Sequence, residues 1–294
     1  MAFFSFRGQK IAYQLQLNEC DKQYAVKHGH VTGTMVFLHG LGADQRQAMD
    51  TASRFSGYQT LTLDMPGHGE TIIDPSENVG YWFCFQTFCD ITLALLDHLK
   101  IDKASFGGIS MGAGISIQVA LKQPERVERL ILVRPAWLNC AALPNLSVVK
   151  KIGEEIQQGG IKWAENQLGV QKWFQKLELN YPTIAKSIKG LFTRPQALHA
   201  AAVLKNLVND APFEQLSDLK KIKQPTVVFS NNGDLLHPCN IAEKIAELIP
   251  NASCVKLPSR YQQPEEHQNL LTQQTNLFLT SGLSQCRKPV LNLV

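Results

Sequence analysis

A serine between two glycines is the residue in this sequence with the clearest potential for covalent chemistry. The segment Gly108-Ile109-Ser110-Met111-Gly112 follows a short apolar run and precedes a run with helical spacing. A strand that turns directly into a helix strains the central residue and leaves no room for side chains beside it, so glycines are needed there. The helix N-terminus beneath the serine favours negative charge. The pattern predicts that Ser110 is a nucleophile; a glycine-rich turn without chemistry is the alternative.

A second glycine-rich segment, His39-Gly40-Leu41-Gly42, follows another apolar run. Its small residues allow backbone N–H groups to point at the group that the serine attacks. We expect the amides of Leu41 and Met111 to form an oxyanion hole, where each donor contributes about 3 to 4 kcal/mol in a hydrolase. A glycine turn that only packs is the alternative. Because His39 precedes the nucleophile and opens the loop, a structural hydrogen-bonding role is expected for it.

The elements that position these groups are predicted to alternate between strands and helices. Continuous apolar runs without polar alternation are typical of strands that are buried on both faces, as in a parallel sheet covered by helices. Apolar residues at helical spacing between the runs predict helices that pack on this sheet. The predicted strands are 3–8, 10–17, 34–38, 59–63, 104–109, 127–133, 226–230 and 253–257, and the predicted helices are 81–100, 112–122, 241–249 and 264–279.

Residues 138–212 interrupt this alternation with several helical stretches and no convincing strand, which predicts a helical cap inserted into the core. Trp163, Trp173 and Phe174 in this segment are candidates for an apolar substrate pocket, although aromatic residues in cap helices more often only pack. The predicted domains are the core in two parts, 1–137 and 213–280, the cap, 138–212, and a C-terminal tail, 281–294, with no readable role.

Several motifs occur in an order that closely resembles the α/β-hydrolase family. They are FLHGLG, LDMPGHGE, GGISMGAG and RLILVRPAW, followed after the cap by VVFSNNGDLLHP and IPNASCVKLP. The resemblance implies an α/β-hydrolase fold, with a mostly parallel eight-stranded sheet flanked by helices, and the order nucleophile, acid, histidine. It also implies that Asp234 is the acid. Independently of the family, Asp234 follows a buried strand at the same sheet edge as Ser110, and an ordinary Asn-Gly-Asp turn is the alternative.

The histidine of such a triad is harder to assign. Family members typically carry a Gly-His or similar pair soon after the last strand, whereas residues 257–262 read LPSRYQ here. The histidine further on is His267, in a proline-acid-acid-histidine segment that resembles the place of the histidine in some relatives. If Pro264 is the first helical residue, His267 lies in the first turn, where the helix N-terminus lowers the imidazole pKa and keeps the ring able to accept a proton. We therefore predict His267 as the base.

Other assignments of the histidines stay open. His267 could pack under the last helix without chemistry. His237 is a second candidate for the base, but it lies three residues past Asp234 on the same loop, and an acid and a base so close in sequence have difficulty in forming a linear relay to Ser110. His68, in Pro-Gly-His-Gly, resembles a structural turn of the family, and we expect no chemistry from it.

Composition and charge exclude several classes of protein. The chain has 294 residues, 44% of them hydrophobic, and its formal charge of +4 is scattered, so no nucleic-acid partner is indicated. Seven cysteines without a close pair indicate neither a disulfide framework nor a metal site, and a reducing compartment fits them best. No secretory signal and no membrane span is evident. We expect a cytoplasmic monomer or homodimer that acts on a small molecule without a metal or cofactor.

These residues together predict a serine hydrolase. Ser110 would attack an ester-like or other acyl bond, with His267 as base and Asp234 orienting it, and water would release the acyl group. The aromatic cap residues indicate an apolar substrate. Dehalogenases and epoxide hydrolases of similar fold use a carboxylate nucleophile, so a serine at this position counts against those two activities. The missing Gly-His pair keeps a rival open, a degenerate protein that binds a ligand or a partner, and a lyase or acyltransferase with the same residues is a third alternative.

Overall fold

An eight-stranded sheet forms the centre of the structure, a computed structural model that describes residues 1–17, 33–74, 77–194 and 196–281. The strands are β1 (Ala2–Phe6), β2 (Gln9–Gln16), β3 (Gly33–Leu38), β4 (Tyr58–Leu63), β5 (Ala104–Ile109), β6 (Val127–Val133), β7 (Thr226–Asn231) and β8 (Ala252–Leu257). Their order across the sheet is β1-β2-β4-β3-β5-β6-β7-β8. All eight predicted strands are therefore observed, with small shifts at their ends.

The sheet is parallel except at one edge. β1 and β2 form an antiparallel hairpin, and β2 also pairs antiparallel with β4. From β4 through β3, β5, β6 and β7 to β8, every neighbouring pair is parallel. The inner strands β5 and β7 are buried along their whole length, which explains their continuous apolar runs. The carboxyl ends of the parallel strands meet at one edge, where a shared site can form.

Helices cover both faces of the sheet. They are α1 (Gln45–Ala52), α2 (Val79–Trp82), α3 (Phe85–His98), α4 (Met111–Lys122), α5 (Ser147–Gly169), α6 (Lys172–Asn180), α7 (Pro182–Thr193), α8 (Ala197–Val208), α9 (Cys239–Leu248) and α10 (Pro264–Thr280). Because side chains alternate along a strand, β3 directs Val36 and Leu38 into one apolar cluster and Met35 and Phe37 into another. The predicted α/β fold class, a mostly parallel sheet flanked by helices, is confirmed.

The segment predicted as a cap contains α5 to α8 and no strand among its described residues. Helices α5 and α8 pack against each other, and α5 is interrupted at Gly160, whose φ of 80° is not helical. The division of the chain into core and cap domains stays a prediction. The tail beyond Ser281 and residues 18–32 of the predicted loop lie outside the described residues.

Within the described ranges, none of the helices combines the length and the apolar character that a bilayer crossing requires. The described residues also contain no group of three or more metal-ligating side chains that could hold an ion. The expected cytoplasmic location and oligomeric state stay predictions.

Candidate active site

Ser110 occupies a strained turn between β5 and α4, with φ 56° and ψ −106°. A Cβ atom added at Gly108 would overlap the carbonyl carbon of Gly112, and one added at Gly112 would overlap the carbonyl oxygen of Leu38. Both positions therefore require glycine. The backbone N–H of Ser110 donates to the carbonyl oxygen of Val133 over 2.9 Å, which ties the turn to β6. The serine is held at the carboxyl edge of the sheet.

The predicted oxyanion donors belong to two segments that meet at the serine. Met111 is the first residue of α4, and the first N–H groups of a helix have no acceptor within it. Leu41 lines the same cavity as Ser110. Gly40 is adjacent to the serine, because a Cβ added there would be in van der Waals contact with Cβ of Ser110 at 3.7 Å. The placement supports Leu41 and Met111 as oxyanion donors, and this assignment stays a proposal.

Two buried histidines support the loop that carries Leu41. Nδ1 of His39 lies 2.9 Å from the carbonyl oxygen of Gly40, and its Nε2 accepts the N–H of Met65 over 3.0 Å. Nε2 of His68 accepts the N–H of Gly42 over 2.9 Å. Burial lowers the pKa of both rings, so each is a neutral hydrogen-bonding group at neutral pH. These contacts agree with the structural roles expected for His39 and His68.

The carboxylate of Asp234 lies in the turn after β7, enclosed by donors. Its Oδ2 accepts from Nδ2 of Asn231 over 3.0 Å and from Nε of Arg260 over 3.1 Å, while Nη1 of Arg134 lies 3.9 Å away. Burial alone raises the pKa of this carboxyl group, but His237 and the two guanidinium groups outweigh burial and hold the pKa well below its usual range. Asp234 is ionised at neutral pH.

The imidazole next to this carboxylate is that of His237. Its Nδ1 lies 3.0 Å from Oδ2 of Asp234, although without the alignment of a hydrogen bond. His237 also lines the cavity of about 70 Å³ that contains Ser110. Burial lowers the pKa of His237 more than the neighbouring carboxylate raises it, so the ring is neutral at neutral pH and able to accept a proton.

His267 lies in the first turn of α10, at the helical position expected for it, and it is buried. Its Nδ1 lies 2.9 Å from the carbonyl oxygen of Pro258, so this nitrogen donates and Nε2 carries no proton. Burial is the main reason that the pKa of His267 falls to about 4. The ring lines a neighbouring cavity of about 530 Å³. His237 thus contacts Asp234 and shares the cavity of Ser110, whereas His267 lines the neighbouring cavity, and the assignment of the base stays a proposal.

Three arginines that the sequence analysis did not single out line both cavities: Arg134, Arg194 and Arg260. Arg134 follows β6 with a positive φ of 49°. Arg194 follows α7 and donates to the carbonyl oxygen of Leu41 over 3.0 Å. A signal for two of them was available, because Arg134 and Arg260 each come soon after a strand, at the edge to which the nucleophile and acid were assigned.

The comparison with known families decides what kind of protein this is. A family model described as alpha/beta hydrolase fold matches residues 33–261. The chain belongs to the alpha/beta hydrolase fold family. The predicted family, and the hydrolase class of enzyme that goes with it, are confirmed by this match.

Relatives of this hydrolase are distant in sequence. The chain is 24% identical over 252 residues to Lipase 3 of Moraxella sp. (strain TA144), a match that covers 83% of this chain and 76% of that protein. It is 26% identical over 234 residues to a putative carbamate hydrolase of Pseudomonas savastanoi pv. phaseolicola, over 76% of this chain and 84% of that protein. Among solved structures, the enol-lactonase from Burkholderia xenovorans LB400 matches with a TM-score of 0.70 and 20% identity, over 95% of this chain and 100% of that chain. The structural likeness shows the fold alone.

The aromatic residues predicted to bind substrate lie apart from the cavity of the nucleophile. In this hydrolase Phe174 is fully buried in the larger apolar cluster, and Trp163 packs against that cluster. Trp173 is 48% exposed and lines a third cavity, of about 640 Å³, together with Leu235. The tryptophan that lines the Ser110 cavity among the described residues is Trp137. A substrate-binding role of the three cap residues stays untested.

Proposed function

We propose that this hydrolase cleaves an ester-like acyl bond of a small molecule through a covalent intermediate on Ser110. The observation that carries the proposal is the strained Ser110 turn in a cavity shared with a neutral imidazole, which itself contacts an ionised carboxylate. The imidazole accepts the hydroxyl proton while Oγ attacks the carbonyl carbon. The amides of Leu41 and Met111 then stabilise the oxyanion, and the imidazolium protonates the leaving group. Water deacylates the enzyme through the same base.

We infer that His237 is the general base. Its contact with Asp234 and its place in the Ser110 cavity support this assignment. The poor alignment of the 3.0 Å contact is the physical cost of an acid and a base on one short loop. Catalytic hydrogen bonds commonly tighten when substrate binds, so the present alignment is compatible with catalysis. His267 stays the second candidate, because its Nε2 carries no proton and its ring lies at the same sheet edge.

Matched histidine variants test this assignment. In wild-type enzyme we expect a fluorophosphonate probe to label Ser110, and Ser110→Ala to lose both labelling and ester hydrolysis. His237→Ala should lower kcat/KM for a 4-nitrophenyl ester by about 10³-fold or more, as removal of a triad member does, whereas His267→Ala should stay within about tenfold of wild type. Near-UV circular dichroism checks that each variant is folded.

The reverse pattern would assign the base to His267 and overturn our assignment of His237. Full activity in both histidine variants, or in Ser110→Ala, would end the mechanism. A folded wild-type protein that the probe does not label would favour the ligand-binding alternative. Incorporation of ¹⁸O from labelled water into the released acid distinguishes hydrolysis from acyl transfer to another acceptor.

A further inference from the structure

The walls of the two cavities beside the nucleophile carry concentrated positive charge. Arg134, Arg194 and Arg260 line both cavities, and Lys186 lines the larger one. No aspartate or glutamate is among the described residues that line either cavity. Asp234 lies behind the wall, where its one carboxylate is shared between two of the guanidinium groups. The cavities therefore have an excess of positive charge.

Arg134 is buried and only partly compensated by Asp234. Its side chain is only 8% exposed, and its Nε and Nη1 have no hydrogen-bond partner in the described part of the chain. The 3.9 Å from Nη1 to Oδ2 of Asp234 is too long for a hydrogen bond. Burial is the main reason that the pKa of Arg134 falls to about 9. Leaving a buried guanidinium group without hydrogen-bond partners costs free energy, and an anionic ligand would reduce that cost.

The other polar groups of the cavity wall fit the same ligand. Trp137 lines the smaller cavity, and its buried Nε1 also has no partner among the described residues. Arg260 is held in place, since Nη2 donates to Oγ of Ser187 over 3.3 Å and to the hydroxyl of Tyr261 over 2.5 Å. The wall thus combines buried N–H groups that lack a hydrogen-bond partner with a fixed guanidinium group. A ligand that matches it must supply acceptor oxygens and negative charge.

We propose that these arginines bind a carboxylate carried by the substrate, so that the enzyme prefers carboxylate-bearing esters to neutral ones. The inference rests on the proposed function and names the substrate class for it. A planar guanidinium group matches the two oxygens of a carboxylate. The carboxylate lies at Arg134 in the cavity of about 530 Å³, while the scissile carbonyl reaches Ser110 in the cavity of about 70 Å³. This substrate class replaces the apolar one expected from the cap aromatics.

Paired substrates test the proposal. 4-Nitrophenyl hexanoate and mono-4-nitrophenyl adipate have the same six-carbon acyl chain and differ in a terminal methyl or carboxylate. Phenyl acetate and 3-acetoxybenzoate make the same comparison on the leaving-group side. In at least one pair, wild-type kcat/KM should be about tenfold or more higher for the carboxylate, mainly through KM, as expected for a charge-assisted contact. Equal values in both pairs would overturn the proposal.

Variants of Arg134 test whether this arginine causes the preference for carboxylate-bearing esters. Arg134→Gln should abolish the preference for the carboxylate-bearing ester. Arg134→Lys keeps the charge without the planar group and should reduce this preference. If the glutamine variant does not fold, the lysine variant alone tests the role of Arg134. Arg54→Gln removes the same charge from an exposed position outside the cavities and should keep the preference. A preference that survives both substitutions at Arg134 would show that the arginine does not bind the carboxylate.

A binding measurement tests the carboxylate site independently of the proposed hydrolysis. In the Ser110→Ala variant, adipate should raise the melting temperature and neutral 1,6-hexanediol should not. Stabilisation by adipate in a protein that hydrolyses none of the esters would refute the serine hydrolase but keep the carboxylate site. Hydrolysis of both members of each pair at equal rates would support the serine hydrolase but refute the carboxylate site. Stabilisation by inorganic phosphate but not by adipate would overturn the carboxylate as the ligand.

Discussion

The proposed proton transfer from Ser110 depends on a neutral imidazole beside an ionised carboxylate. Burial lowers the pKa of His237, while His237 and two arginines keep the pKa of Asp234 well below its usual range. The two shifts act together, because an acid that stays ionised and a base that stays unprotonated are both present at neutral pH. The same arginines oppose protonation of the histidine, so the local charge favours the neutral ring that the proposed mechanism requires.

The pH dependence of the rate should report this arrangement. A pKa of His237 below 6.5 means that the ring stays neutral as the pH falls past 6.5, so kcat/KM for a neutral ester should be constant from pH 8 to below 6.5 and decrease only at lower pH. If His267 were the base, the decrease would centre near its pKa of about 4. A decrease centred at or above pH 6.5 would contradict both His237 and His267 as the base. Circular dichroism at each pH excludes unfolding as its cause.

The packing of strands and helices around the turn between β5 and α4 determines which groups lie near Ser110. β3 and α4 approach each other so closely that no atom beyond the backbone fits at Gly112, and this approach brings the loop after β3, which contains Leu41, to the serine. The boundary of α3 depends on a more distant contact. The N–H of Phe85, its first residue, donates to Oδ2 of Asp210 over 2.7 Å. The predicted helix 81–100 is therefore divided between α2 and α3, a division that hydrophobic spacing does not reveal.

Replacing Gly112 with alanine should destabilise the protein, because the new methyl group overlaps the carbonyl oxygen of Leu38 in the adjacent strand. Overpacking of this kind typically costs about 1 to 3 kcal/mol, and the displaced backbone should also lower kcat. Gly169→Ala is the control, since an added Cβ meets nothing within 4 Å at that end of α5. Urea unfolding measures both variants, and equal stability of the two would contradict the steric argument.

At the level of the whole molecule, strand order determines which loops meet. β6 lies between β5 and β7, so Arg134, at the end of β6, lies between Ser110 and Asp234. The loop after β8 adds Arg260, and the end of α7 adds Arg194 from above the sheet edge. Three cations from separate parts of the chain are thereby held around the cavity of Ser110. Their mutual repulsion and burial oppose folding, which is a common feature of binding sites.

Removing one of these charges should therefore stabilise the fold while weakening the function. Arg134→Met replaces an incompletely paired buried cation with an apolar side chain of similar length, and we expect the free energy of unfolding to rise by about 1 to 2 kcal/mol. Its kcat/KM for a carboxylate-bearing ester should fall. Urea unfolding at pH 7 measures the first effect. A marked loss of stability instead would show that Arg134 mainly holds Asp234.

The sequence by itself determined the features that depend on neighbouring residues. Runs of apolar residues predicted the parallel strands, a turn at Arg7 and Gly8 predicted the first hairpin, the glycines around Ser110 predicted the strained turn, and the motif order predicted the family. Only the tertiary structure decided that His237 lies beside Asp234 and that Arg134, Arg194 and Arg260 line the cavity of Ser110. The reason is physical: these contacts join residues far apart in the chain, or depend on the path of a loop, and both are set by how strands and helices pack rather than by any local pattern.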